Sequence, residues 1–122
     1  FKTKKMNRQI KFRGYSNELK SWVYGFFQEV EVEGVRYSYI FWQGNTTPVR
    51  ADSVVQFTGV YDKNNNEIYQ GDVYHQGDEN IEYVVVWHDS GFIGKQKSSS
   101  SYSGLEHWKD RIVLVGSAQA DA

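Results

Sequence analysis

Apolar and polar positions alternate along much of the chain with the period of two that is typical of a half-buried strand. Ile10 and Phe12 alternate with charged or amide residues from position 8 to position 13, and this pattern predicts the first strand. The same alternation runs through residues 30–39 and predicts a hairpin that turns at Glu33-Gly34.

Turn-forming residues separate the apolar segments at intervals of about 8–12 residues, which predicts about eight or nine short strands. Gly14 and residues 16–18 predict one turn, and residues 44–48, which contain the only proline, predict a loop. Residues 103–109 predict at most one helical turn. Further strands are predicted at residues 21–27, 53–58, 81–87 and 112–115. The pattern favours a mostly β fold with little helix, either a small barrel-like domain or a complex β-sheet bundle.

The apolar composition agrees with a sheet protein. Nine Tyr, seven Phe and four Trp accompany a single Met, and aromatic rings fit pleated surfaces better than helices. The length of 122 residues predicts one domain over residues 6–122. Residues 1–5 precede Met6 and are expected to be an expression remnant or a mobile tail.

Several classes of protein are excluded or disfavoured by what the chain lacks. The absence of cysteine excludes disulfides and thiolate metal sites. The apolar runs are far shorter than the roughly 20 residues of a membrane span, and Met6 is not followed by the apolar segment of a signal peptide. We therefore expect a cytoplasmic protein without a membrane partner.

The net charge of −1 conceals an uneven distribution of charge. Residues 2–13 contain six basic residues and no acid, whereas residues 62–89 contain seven acids and one base. These segments can attract each other within one molecule or between protomers. The basic segment also suggests a weak, salt-dependent nucleic-acid surface, with Arg8, Lys11 and Arg13 as the phosphate contacts. The overall charge balance disfavours a dedicated nucleic-acid-binding protein.

The central segment 57–73 reads FTGVYDKNNNEIYQGDV. It resembles the central block of the YopX family of phage-encoded proteins, and segments 6–14 (MNRQIKFRG) and 84–92 (VVVWHDSGF) are similar to flanking blocks of that family. The chain departs from the family pattern at Asn65, where glycine is usual, and in its divergent tail after Gly116. The resemblance implies a phage, prophage or mobile-element origin and a mostly β fold. It implies no activity, because the family is functionally uncharacterised.

Five residues of this region predict structure rather than chemistry. Gly59 ends a strand, and Asp62 opens a tight reversal in which Asn65 is expected to adopt the left-handed conformation. Gly71 permits a second tight turn, and Asp72 is expected to bond nearby backbone N–H groups. A Gly-Asp pair before an apolar strand is also found in SH3-like barrels, so we predict an SH3-like lobe at about residues 55–93.

Chemistry-bearing residues form no compact motif. Asp72, His75, His88 and Asp89 are metal ligands by type, but their spacing matches no zinc signature. Neither a nucleophile elbow nor a phosphate-binding loop is present. We therefore expect no metal, no cofactor and no catalytic residue, although carboxylates paired in space are invisible in a sequence.

These expectations lead to a non-enzymatic protein-interaction module, with an uncharacterised enzyme and a weak nucleic-acid-binding protein as the alternatives. Tyr and Trp are common anchors of interfaces. Tyr24, Tyr37, Tyr39 and Trp42 lie in aromatic-rich strands, so some of their rings are expected to be exposed. The expected partners are the protein itself, as a homo-oligomer, and a host or phage protein.

Overall fold

The computed structural model describes residues 10–117, and most of them lie in strands. Three segments named in the sequence analysis lie outside this range: residues 1–5, Arg8 and the tail after residue 117. The described chain forms eleven strands, one α-helix, α1 (Leu105–Trp108), and two single turns of 3-10 helix at Ala51–Ser53 and Lys109–Arg111. In chain order the strands are β1 (Phe12–Ser16), β2 (Ser21–Val32), β3 (Val35–Trp42), β4 (Asn45–Val49), β5 (Val55–Tyr61), β6 (Glu67–Tyr69), β7 (Asp72–His75), β8 (Tyr83–His88), β9 (Gly91–Gln96), β10 (Tyr102–Ser103) and β11 (Val113–Ser117). The prediction of a mostly β fold with little helix is confirmed.

The strands form two antiparallel sheets with similar construction. The first has the order β4-β3-β2-β1-β5-β6, and the second has the order β10-β9-β8-β7-β11. In each sheet four consecutive strands run as a meander, and a later strand returns to pair with the first strand of that meander. The chain changes sheets at Gln70-Gly71, between β6 and β7.

Of the two predicted architectures, a barrel-like domain or a complex β-sheet bundle, the described residues do not form a closed barrel. The first sheet curls, so that the N–H of Arg50 after β4 donates to the carbonyl of Tyr15 on β1 at 2.9 Å, but β4 and β1 form no ladder. Residues 55–93 are divided, because β5 and β6 belong to one sheet and β7 to β9 to the other. The fold is a complex β-sheet bundle, and the SH3-like likeness stays a prediction.

Three local predictions are corrected by the structure. Gly59 does not end a strand but lies inside β5, where its φ of 89° accompanies a shift in the register with β6. Gly14 lies inside β1 rather than in a turn, and an added Cβ there would be only 2.8 Å from Cγ2 of Val49. Residues 44–48 do not form the predicted loop, since Pro48 lies in β4. Proline is tolerated there because β4 is an edge strand and one side of it pairs with no neighbour.

The main core lies where β5 and β6 pack against the second sheet and α1. Its fully or nearly fully buried members are Ile68, Tyr74, Val85, Leu105 and Ile112. Of the three consecutive valines, Val85 is in this core and its two neighbours are half-buried. The sequence predicts that this strand, β8, is covered on both faces. The face of Val85 is fully covered, and the face of its two neighbours is only partly covered.

The reversal between β5 and β6 has the conformation that the sequence predicts. Asn65 has a φ of 68°, and its N–H donates to the carbonyl of Asp62 at 3.0 Å. The Asp62 carboxylate accepts the backbone N–H groups of Asn64 and Asn66, each at 2.8 Å. The buried aspartate therefore fixes the turn from inside, and Asn65 supplies the left-handed residue.

We expect Asn65→Gly to be neutral or mildly stabilising and Asn65→Val to lower the free energy of unfolding by about 1–2 kcal/mol. A β-branched side chain is poorly suited to positive φ, whereas glycine adopts it freely. Chemical denaturation measures both variants, with Asn64→Val as the matched control at a neighbouring exposed position. An Asn65→Val protein as stable as wild type would contradict the assignment.

Candidate functional site

A buried ion pair joins the two sheets. Nη2 of Arg13 on β1 donates to Oδ1 of Asp72 at the start of β7 at 2.8 Å, and the two residues are 6% and 3% exposed. Gly71, with a φ of 92°, turns the chain so that Oδ2 of Asp72 accepts the N–H of Tyr69 at 2.8 Å. The predicted role of Asp72 as a turn residue is confirmed, and the turn also aims its carboxylate at Arg13.

Aromatic rings enclose the Arg13 guanidinium. Its Cζ lies 4.4 Å from the centre of the Trp22 ring and 4.8 Å from that of Tyr69. Nη2 also donates to Oγ of Ser117 at 3.3 Å, whereas Nε is buried without a hydrogen-bond partner among the described residues. Two rings and one carboxylate thus replace most of the water that an exposed arginine would bind.

A second, less buried pair lies beside the first. Nζ of Lys11 is 2.8 Å from Oε2 of Glu67, and the Tyr69 hydroxyl donates to Oε1 of the same carboxylate at 2.8 Å. In both pairs a basic residue of the first segment meets an acid of residues 62–89. Of the two arrangements that the charge distribution allowed, the structure has the intramolecular one at these positions.

Burial controls the protonation of this cluster. It raises the pKa of the Asp72 carboxyl, and the nearby Arg13 guanidinium acts in the opposite direction. Burial also raises the pKa of the Tyr69 hydroxyl, and the hydrogen bond to Glu67 raises it further. Tyr69 therefore remains a neutral hydrogen-bond donor in the physiological range.

These residues line an open cleft of about 1010 Å³ between the sheets. Arg13 and Asp72 form part of its lining, and the rings of Trp22, Tyr24 and Tyr69 and the amine of Lys20 contribute to its walls. Since Arg13 and Lys11 already face carboxylates, the cleft carries little uncompensated charge. It can hold polar and aromatic groups.

Two of the three residues predicted to contact nucleic acid are paired with carboxylates of the same chain. Arg13 is buried against Asp72, Lys11 pairs with Glu67, and Arg8 lies outside the described residues. A phosphate would therefore have to compete with carboxylates that are already in place. The sequence showed the opposite charges but could not show this pairing, which joins residues 59 positions apart.

Of the four residues that are metal ligands by type, His88 and Asp89 lie together, with Nε2 3.6 Å from Oδ2, and the structure does not bring all four into one site. Asp72 binds Arg13, and Nδ1 of His75 accepts the N–H of Gly77 at 3.2 Å. His88 stacks on Tyr102 with ring centres 4.4 Å apart. No cluster of three or more His, Asp or Glu residues within residues 10–117 is arranged to hold a metal ion.

A two-stranded arm, residues 30–37, projects beyond the first sheet. β1 pairs with β2 only at residues 21–25, and β4 pairs with β3 only at residues 38–42. The arm closes in the predicted tight turn, where Glu33 and Gly34 have φ values of 51° and 83°. Of the aromatic residues that were expected to be exposed, Tyr24, Tyr37 and Trp42 are exposed and Tyr39 is half-buried.

One face of this arm and of the adjoining strands, here called the arm face, is mostly apolar. Cross-strand pairing places on that face Phe26 with Phe41, Val30 with Tyr37 and Val32 with Val35, together with Tyr39 and its polar partner Gln28. Phe26, Val32, Val35 and Tyr37 are 55%, 52%, 52% and 45% exposed. The opposite face carries Glu29, Glu31 and Arg36 at the arm, so the arm is amphipathic.

Two antiparallel sheets, a buried cross-sheet ion pair and an exposed amphipathic arm define a small β protein. None of the described helices is long and apolar enough to cross a membrane. Residues 11–113 match the family model described as YopX protein. The chain belongs to the YopX family, which confirms the resemblance of its central segment. No curated protein matches the chain.

Proposed function

We propose that this protein is a non-enzymatic interaction module of phage or prophage origin that acts in the cytoplasm of the bacterial host. The origin and compartment are supported by the family resemblance of the sequence. The observation that carries the interaction role is the exposed arm face, because a two-stranded ribbon is only marginally stable in water without a surface to cover it. An apolar face with four residues about half exposed is typical of a surface that a partner covers.

We propose a second copy of the chain as the occupant of the arm face. The face is uncharged along its length and apolar except at Gln28, with the arm's charged residues on the opposite side, so two copies related by a twofold axis meet without opposing like charges. Each of the four outermost strands of the two sheets carries a feature that limits strand addition. β4 contains a proline, β6 and β10 have three and two residues, and β11 has an irregular register.

The size of the arm face sets the strength of this association. Stable interfaces contain about 20–30 residues on each side, and the arm face contains the eight residues of four cross-strand pairs. The dimer is therefore expected to be reversible and to depend on concentration in the micromolar range.

Light scattering after size-exclusion chromatography tests this proposal across a concentration series. We expect the apparent mass to rise from that of the 14.2 kDa chain toward twice that value. Phe26→Thr/Val35→Thr, which preserves β propensity, should remain monomeric, and Glu31→Thr on the opposite face should behave as wild type. A wild-type monomer at every concentration, from micromolar to millimolar, would refute the dimer.

The nucleic-acid alternative is less well supported by the site. Of its three proposed contacts, Lys11 and Arg13 are 2.8 Å from carboxylates, so their charges are already compensated. The enzymatic alternative gains no specific support, since the buried carboxylate of Asp72 faces a guanidinium rather than an open substrate site.

A further inference from the structure

A second groove shares no lining residue with the cleft described above. It has a volume of about 840 Å³, and strands from both sheets form its walls. Its lining includes Phe57 and Tyr61 from β5, Trp87 from β8, Phe92 from β9 and Glu106 from α1. The volume is large enough for a segment of extended peptide rather than a single side chain.

Two exposed rings of the groove are held in place by buried or half-buried neighbours. Tyr61 is 41% exposed and packs edge-on against Phe57, with ring centres 5.5 Å apart. Trp87 is 56% exposed and packs edge-on against Phe92, with ring centres 4.9 Å apart. The groove therefore presents supported aromatic rings to solvent, and ordering them on binding costs little conformational entropy.

The charge of the groove indicates the sign of its ligand. Glu106 is the single charged side chain among the described lining residues. Its partner is Lys109, whose Nζ is 2.9 Å away, and both side chains are largely exposed. An exposed pair within one helical turn is weak, so a ligand cation placed over the rings can replace Lys109 at this carboxylate.

We propose that this groove binds an arginine side chain carried by an extended segment of a partner protein. A guanidinium stacks on the faces of tryptophan and tyrosine and can also form a bidentate pair with a carboxylate. The groove supplies both kinds of group within one cavity. This inference rests on the proposed interaction role and names the chemistry of a partner other than a second copy, at a surface separate from the arm face.

Nuclear magnetic resonance of the full chain tests the proposal through the indole N–H signals of its four tryptophans. Trp87→Phe identifies the signal of Trp87. We expect the peptide acetyl-Gly-Arg-Gly-amide to shift that signal and to leave the signal of Trp22 in the cleft unchanged. The matched peptide with citrulline, the neutral isostere of arginine, should bind about fivefold more weakly. Glu106→Gln should weaken arginine binding to a similar extent, whereas Glu79→Gln, at an exposed turn, should not.

Three outcomes would overturn the proposal. The first is that the arginine and citrulline peptides bind with equal affinity. The second is that neither peptide shifts the Trp87 signal. The third is that Arg8→Ala shifts the Trp87 signal when no peptide is present. The last would make the chain's own basic segment the occupant. Light scattering on the same samples distinguishes arginine binding in the groove from dimerisation through the arm face. A variant that loses arginine binding should still dimerise.

Discussion

Replacement of Arg13 by methionine is expected to lower the free energy of unfolding by about 3–5 kcal/mol, because it leaves a buried carboxylate without its partner. Asp72 is 3% exposed, so water cannot take the place of the guanidinium. The variant also loses the packing of Arg13 between Trp22 and Tyr69. Denaturation by urea measures the loss. Lys11→Met removes the less buried pair and should cost no more than about 1 kcal/mol.

The pH dependence of the stability of Arg13→Met shows whether the unpaired charge of Asp72 causes the loss. Burial raises the pKa of Asp72 above its ordinary value of 3.8, and Arg13 opposes that rise, so the pKa of Asp72 rises further in Arg13→Met. A carboxyl whose pKa is raised in the folded state destabilises the fold fully above that pKa, and the effect fades as the pH falls toward the unfolded value. The stability gap between variant and wild type should therefore narrow as the pH falls through the raised pKa of Asp72 toward the ordinary value of 3.8.

A neutral residue at position 72 separates charge from packing. The amide oxygen introduced by Asp72→Asn can still accept the N–H of Tyr69, the bond that the aspartate makes at 2.8 Å. Arg13→Met/Asp72→Asn is therefore expected to recover most of the stability that Arg13→Met loses. A double variant as unstable as the single variant would show that packing between the rings, rather than charge, sets the cost.

Local sequence signals predicted those elements whose causes are local. The hairpin at Glu33-Gly34 and the reversal at Asn65 both depend on positive φ within a few residues, and both were predictable from turn chemistry. The single helical turn at α1 follows a break in the alternation that is equally local. Each of these features is set by neighbours in the chain, so each is visible in the sequence.

Elements set by distant contacts could not be predicted in this way. The prediction of a turn at Gly14 is wrong because the need for glycine there, the approach of Val49, arises only after the first sheet has curled. The same holds for the Arg13–Asp72 pair, whose charges are visible in the sequence and whose proximity is not. The sequence left a barrel-like domain and a β-sheet bundle open as alternatives, because the change of sheets after β6 leaves no signature beyond a turn.

Gly94→Ala is expected to lower the free energy of unfolding by about 3 kcal/mol, the upper part of the range for overpacked cores. A methyl group on Gly94 would collide with the hydroxyl oxygen of Tyr74, and Cζ of the same ring would be 2.8 Å away. Tyr74 is fully buried and stacks on Tyr83 with ring centres 5.2 Å apart, so its ring can move aside only slightly. Gly91→Ala on the same strand meets no atom within 4 Å and should be close to neutral.

Removal of the Tyr74 hydroxyl is expected to reduce the loss of stability that Gly94→Ala causes. It is buried and has no hydrogen-bond partner among the described residues, so Tyr74→Phe is expected to be neutral or stabilising by up to about 1 kcal/mol. In the Tyr74→Phe background the added methyl enters space that the oxygen has left, and only a small shift of the ring is required. Gly94→Ala should then cost about 1 kcal/mol, a coupling of about 2 kcal/mol in a double-mutant cycle. Equal costs of Gly94→Ala in the two backgrounds would show that the collision with the hydroxyl is not what makes glycine necessary at this position.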